Sequence, residues 1–118
     1  LRFGGTLTGM KLFLLAFWAS VLMAQTQHSV TVSWTDVLNP AGTTYSVYRA
    51  TGLCSGTPTF SKIASALTVK TYLDSTVIPG NYCYAATASV NGMESAQSNT
   101  AGVAVPSFPP TALTVVVQ

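Results

Sequence analysis

The chain is poor in charge. Charged residues are 7% of its 118 residues, against roughly 25% in ordinary soluble domains. Five basic and three acidic side chains leave a formal net charge of +2. That is no nucleic-acid footprint, which needs a Lys/Arg-dense face. Histidine occurs once, as His28, and cysteine twice, as Cys54 and Cys83. There is no Cys-x-x-Cys spacing, no phosphate-binding glycine loop, no Gly-x-Ser-x-Gly elbow and no metal-ligand cluster. Acid–base chemistry lacks raw material, so no catalytic residue, cofactor or metal is expected. The length allows one domain and excludes large barrels and two-domain dinucleotide folds. Aromatic and β-branched residues are plentiful, which excludes intrinsic disorder.

Long apolar runs are also scarce. The main one, Leu12–Ala24, follows Met10-Lys11 and ends at the polar Gln25-Thr26-Gln27-His28. A basic start, a short apolar core and a small exit residue make a secretory signal peptide. The run is shorter than the roughly 20 residues of a membrane span. The rival readings are a buried core helix, which the missing polar face disfavours, and an uncleaved anchor. Cleavage is expected between Ala24 and Gln25, although Leu22 is bulkier than the ideal at its position. No Cys stands near the cut, which argues against a lipoprotein. Residues 1–9 read as sequence upstream of a start at Met10. Removing residues 1–24 takes Arg2 and Lys11 away. Arg49, Lys62 and Lys70 then balance Asp36, Asp74 and Glu94, so the exported chain is formally neutral. Membrane contact is expected only through the leader before cleavage, and the product is expected outside the cell or in the periplasm.

The remaining residues alternate with a period of two. Val30, Val32 and Trp34 alternate with Ser29, Thr31, Ser33 and Thr35, the pattern of a half-buried strand. Asn39-Pro40-Ala41-Gly42 is a turn cluster. The run from Thr44 to Ala50 puts Tyr45 and Val47 on one face and Ser46 and Tyr48 on the other. A Gly/Ser/Thr/Pro loop, residues 51–59, follows. Phe60 to Ala64 and Lys70 to Leu73 are short strand candidates. Ile78-Pro79-Gly80-Asn81 is a turn into the clearest strand, Tyr82 to Val90, with Tyr82 and Tyr84 on the inner face. Asn91-Gly92 is a two-residue hairpin signal. A last strand is expected from about Gln97 to Val103. Nothing after the leader reads as a helix, so the expected fold is all-β: an antiparallel β-sandwich behind a signal-peptide helix.

The order of landmarks adds a resemblance. Thr31-Val32-Ser33-Trp34-Thr35 precedes Tyr45-Ser46-Val47-Tyr48-Arg49. Pro79-Gly80 leads into Tyr82-Cys83-Tyr84-Ala85-Ala86-Thr87-Ala88, and Glu94-Ser95 to Ser98-Asn99 follows the hairpin. This resembles a fibronectin type III domain of the bacterial secreted kind, over about His28 to Val105. An immunoglobulin domain fits less well, because its buried Trp lies between two cysteines, whereas Trp34 precedes both. The organisation is then residues 1–24, upstream sequence and signal peptide; 25–105, a fibronectin type III-like domain; and 106–118, a Pro-rich linker and strand-like tail. The family's first strand is missing or vestigial before Val30. Pro109-Pro110-Thr111-Ala112-Leu113-Thr114-Val115-Val116-Val117-Gln118 looks like such an opening strand at the wrong end. It either begins a second module, the preferred reading, or fills the vacant edge in its own chain or in a neighbour through residues 111–118.

The resemblance makes the strand before Cys54 a neighbour of the strand carrying Cys83. In an oxidising compartment the two are expected to pair. Alternation points Cys83 away from the core, so the bridge would staple the loop to the outer sheet face. The expected core is Val30, Val32, Trp34, Tyr45, Val47, Tyr82 and Tyr84. His28 reads as an edge residue, and the three carboxylates as solvated turn and loop residues. Tyr48, on the outer face, is the candidate for an exposed aromatic contact. The resemblance implies a non-catalytic spacer or protein-interaction module of an extracellular bacterial protein. The alternatives are a carbohydrate- or surface-binding module using residues 50–59 and Tyr48, and an accessory fragment of an extracellular hydrolase. The expected partner is a protein or a polysaccharide and not a nucleic acid.

Overall fold

Val30 and Val32 alternate with small hydroxyl residues, and this stretch forms the first strand, β1 (His28–Ser33), in a computed structural model that describes residues 27–118. It is followed by β2 (Thr44–Thr51), β3 (Ser61–Leu67), β4 (Thr71–Val77), β5 (Gly80–Val90), β6 (Met93–Glu94) and β7 (Ala101–Val105), with no helix among the described residues. The expected signal-peptide helix lies outside those residues.

The strands form two antiparallel sheets, an arrangement consistent with a β-sandwich. Among the described residues, one pairs β1 with β4; the other has the order β3-β2-β5-β6, with β7 also on β5. The central ladder pairs β2 with β5 through eight consecutive partners, from Thr44 opposite Ser89 to Thr51 opposite Tyr82. Both strands are rich in β-branched, aromatic and small residues that suit a pleated surface packed on both sides. Val47, Val77, Tyr82, Tyr84 and Val105 form the buried cluster, and Val30, Val32, Trp34 and Tyr72 pack against it from the smaller sheet or its end. Tyr45 is also buried and meets the Trp34 ring at a centroid distance of 5.5 Å.

The edges differ. Strand β3 carries Lys62, two register shifts against β2, and Ala66 at a φ of 55°. Bulges and a lysine are common protections against edge-to-edge pairing. The hairpin from β5 to β6 turns through Asn91 and Gly92, at φ values of 51° and 79°. Positive φ at both central residues is the type I′ requirement that Asn-Gly meets.

The expected final strand, from about Gln97 to Val103, needs correction. Regular pairing resumes only at Ala101, and residues 95–100 attach to β5 through serines. Ser95 N–H donates to the Ala88 carbonyl at 2.8 Å, and its Oγ accepts from Ala88 N–H at 3.0 Å. Ser98 repeats the exchange with Ala86, at 2.8 and 3.0 Å. Three residues of this segment therefore match two of β5, a stride a regular ladder cannot take. The hydroxyls stand in for carbonyls that the irregular backbone places elsewhere.

Candidate functional site

The two cysteines form a disulfide, with Cα atoms 5.2 Å apart. Cys83 shares the face of Ala85 and Thr87, opposite the tyrosines, yet it is fully buried. The covering comes from the 52–59 loop that Cys54 brings across. Gly52 N–H anchors that loop to the Asn81 carbonyl at 2.8 Å. Gly102 of β7 lies opposite Cys83, and a Cβ there would stand 3.5 Å from Cys54 Sγ. The bridge is compatible with an extracellular or periplasmic location.

Tyr48 is half-buried at the centre of a cluster drawn from several strands. Its hydroxyl donates to Glu94 of β6. Thr87 Oγ of β5 donates to the same carboxylate oxygen at 2.6 Å. Lys62 of β3 reaches the other oxygen at 3.3 Å and lies 5.5 Å from the centroid of the Tyr48 ring. Hydrogen bonds from Thr87 and then Tyr48 hold Glu94 down at about 2, below the ordinary 4.5. The Tyr48 hydroxyl and one side of its ring are thus occupied by groups of the same fold.

A second network joins the two sheets. Arg49 Nη1 and the Tyr84 hydroxyl donate to Asp74 Oδ2 at 2.7 and 2.8 Å. Thr76 Oγ donates to Asp74 Oδ1 at 3.2 Å. Asp74 is only 2% exposed, so its expected solvated turn role is corrected. It lies within β4, opposite Val30, where its side chain enters the space between the sheets. Burial by itself would raise its pKa, but the bonds from Tyr84 and Arg49 outweigh that and lower it. Burial, and then the bond to Asp74, pushes the Tyr84 phenol upward. Nothing in the spacing between Arg49 and Asp74 announces this contact. A charge at an inward-facing strand position, as alternation gives for Arg49, is the available signal.

Asp36 organises the β1–β2 turn. Its Oδ1 accepts from Leu38 N–H at 3.1 Å and from Asn39 N–H at 3.2 Å. Its Oδ2 accepts from Asn39 Nδ2 at 2.8 Å and the Tyr45 hydroxyl at 3.0 Å. The Asn39 side-chain bond is the main reason its pKa falls to about 2. Lys70 Nζ donates to the Asp36 carbonyl at 2.9 Å.

A concavity of about 340 Å³ opens between the end of β1 and the irregular segment before β7. Val32, Trp34, Tyr84, Ser98, Asn99 and Ala101 are among its lining residues. Trp34 is half-buried, and its indole N–H is enclosed without an acceptor. His28 stands at the other end of β1, stacked on Phe108 at 4.0 Å. Among the described residues, no group of three His, Cys, Asp or Glu side chains is placed to hold a metal.

No protein-family model matches the chain, and no curated protein does.

Proposed function

We propose that the chain is an exported, disulfide-stapled fibronectin type III-like module without catalytic activity. It serves as a spacer or protein-interaction domain of an extracellular bacterial protein. One observation carries this reading. Each charged side chain among the described residues bonds to another group of the same fold: Arg49 with Asp74, Lys62 with Glu94, and Lys70 with the Asp36 carbonyl. The ionisable groups are spent on joining strands and turns. None stands free beside a second in a cleft, as hydrolysis by paired carboxylates requires. The landmarks that carry the family resemblance support the reading, because Ser95 and Ser98 have a definite mechanical role in it.

The test is retention on polysaccharides. The exported chain should pass through a glycan array and insoluble polysaccharide columns without retention. Retention lost in Tyr48→Ala would replace the spacer with a carbohydrate-binding module. Intact mass of the secreted product checks export directly: removal of residues 1–24 and the loss of two hydrogens on bridge formation are expected.

A further inference from the structure

We propose that residues 113–117 of one chain add as a strand to the open edge of β1 in a second copy of the chain. Beyond β4, β1 has no hydrogen-bonded neighbour among the described residues. Its edge is less protected than that of β3: it has one register shift against β4, between His28 and Val30, but no charged residue and no proline. An unpaired edge of this kind is a template for pairing.

The same chain carries an apolar run, residues 113–117, that pairs with no strand among the described residues. Leu113, Val115, Val116 and Val117 are 83, 86, 72 and 93% exposed. Alternation puts Leu113, Val115 and Val117 on one side, matching the inward side of Val30 and Val32. Thr114 and Val116 would face outward beside Ser29, Thr31 and Ser33. Ala112, at a φ of 57°, marks a bend just before this run.

The site for such a strand is hollow. The cleft of about 340 Å³ lies along the end of β1, bounded on its far side by Ser98, Asn99 and Ala101. The enclosed polar atoms without partners among the described residues are His28 Nε2 and Trp34 Nε1, one at each end of β1. An added strand brings apolar side chains to the cleft. Phe108 stacks on His28 of its own chain, so the tail departs from the start of β1.

That contact also selects a second copy over the chain's own tail. Starting from Phe108 beside His28, the tail of the same chain laid along β1 would run in the direction of β1 and form a parallel pair, the less stable kind. A strand from a second copy is free to add in the antiparallel sense. Donor and acceptor share one chain, so a two-fold pair satisfies both at once.

The inference deepens the interaction reading above and separates cleanly from it. Sedimentation of the exported chain should show a concentration-dependent dimer. Val115→Pro removes an N–H from the donated strand at a position 86% exposed in the monomer, and should weaken dimerisation at least tenfold. A peptide of residues 109–118 should then bind the Val115→Pro chain and protect β1 amides from hydrogen exchange. A chain monomeric at all concentrations, or a dimer indifferent to Val115→Pro, overturns the proposal. So does a monomer whose β1 amides are protected by its own tail. Each of these leaves the spacer reading standing, and retention on glycans would remove that reading without touching strand exchange.

Discussion

The two sheets bury comparable residue types to very different depths. In the larger sheet, β5 is buried from Tyr82 through Thr87, on both faces. Core residues supply one covering, and the bridged loop with the Tyr48 cluster supplies the other. In the smaller sheet, β1 has no fully buried residue, and its Val30 and Val32 remain half-buried. A two-stranded sheet is marginal without packing against something else. The difference teaches that coverage of both faces, more than hydrophobicity, decides burial here. Hydrogen exchange should show it: amides of β2 and β5 exchange only through global unfolding, and those of β1 exchange earlier. Equal protection in both sheets would abolish the distinction.

The largest perturbation strikes the well-covered sheet. The bridge closes a loop with a sequence separation of 29, which corresponds to about 3.5 kcal/mol in the chain-entropy model. The double change Cys54→Ser with Cys83→Ser should lower the melting temperature by roughly 15 to 25 °C. The loop covering Cys83 would also be released, so amides at its end of β5 should lose protection first. Melting unchanged within a few degrees would mean that packing alone holds the loop.

Next in size is the link between the sheets. Asp74→Ala leaves Arg49 and the Tyr84 hydroxyl without their acceptor. Breaking a buried ion pair from one side costs 3–5 kcal/mol in general. Arg49 keeps a side-chain exposure of 26%, which places the cost near the lower end, at about 3 kcal/mol. The pH dependence has a definite sign. Asp36, Asp74 and Glu94 all have folded pKa values below their ordinary values of 3.8, 3.8 and 4.5. Below those ordinary values the unfolded chain binds more protons than the folded one, so stability falls with pH. Their contribution is complete above about pH 5.5 and is lost as pH drops from there towards about 2, where Asp36 and Glu94 titrate. Asp74→Asn should flatten this acid limb. An unchanged limb would assign the loss to the other two carboxylates.

These networks mark the boundary of what the sequence makes legible. Alternation locates β1, β2 and β5 within a few residues, and Tyr45 and Val47 are buried where Tyr48 is half-buried. Asn91-Gly92 specified its own turn, because the required φ values belong to those residue types. The all-β class followed from local signals of this kind. What escaped was set by distant partners. Asp74 reads as a turn residue because the strand expected before it ends at Leu73, and only the opposite sheet supplies Arg49 and Tyr84. Tyr48 is readable as outward-facing, but the groups that occupy it come from β6 and β3. The final strand began late because a serine that acts as an acceptor looks like any other serine until β5 lies beside it.

The serine pair gives a finer test within the larger sheet. Ser98→Ala removes the acceptor of Ala86 N–H, and Ala86 is buried. An unsatisfied buried donor costs about 1–3 kcal/mol. Ser95→Ala frees Ala88 N–H in a more exposed place, where water can replace the hydroxyl. Ser98→Ala should therefore lower the urea midpoint more than Ser95→Ala, with the slope unchanged in both. Equal effects would mean that water reaches both amides alike.

The smallest effect is expected at Tyr48→Phe, and the reason returns to the two coverings of β5. The change deletes one donor to Glu94 but keeps the ring over Ala85, its β5 partner. Thr87 and Lys62 remain on the carboxylate. Exposed ion pairs contribute little and are screened by salt, so the fall in melting temperature should be barely resolvable. The Glu94 pKa should nevertheless rise, because the Tyr48 bond is the second largest of the contributions lowering it. A carboxyl NMR titration reads that rise without needing a stability change. Tyr48→Ala differs because it strips the ring from β5 and should lower stability clearly. If Tyr48→Phe proved as costly as Tyr48→Ala, the outer covering would rest on the hydrogen bond. If the pKa moved while stability held, it would rest on the ring.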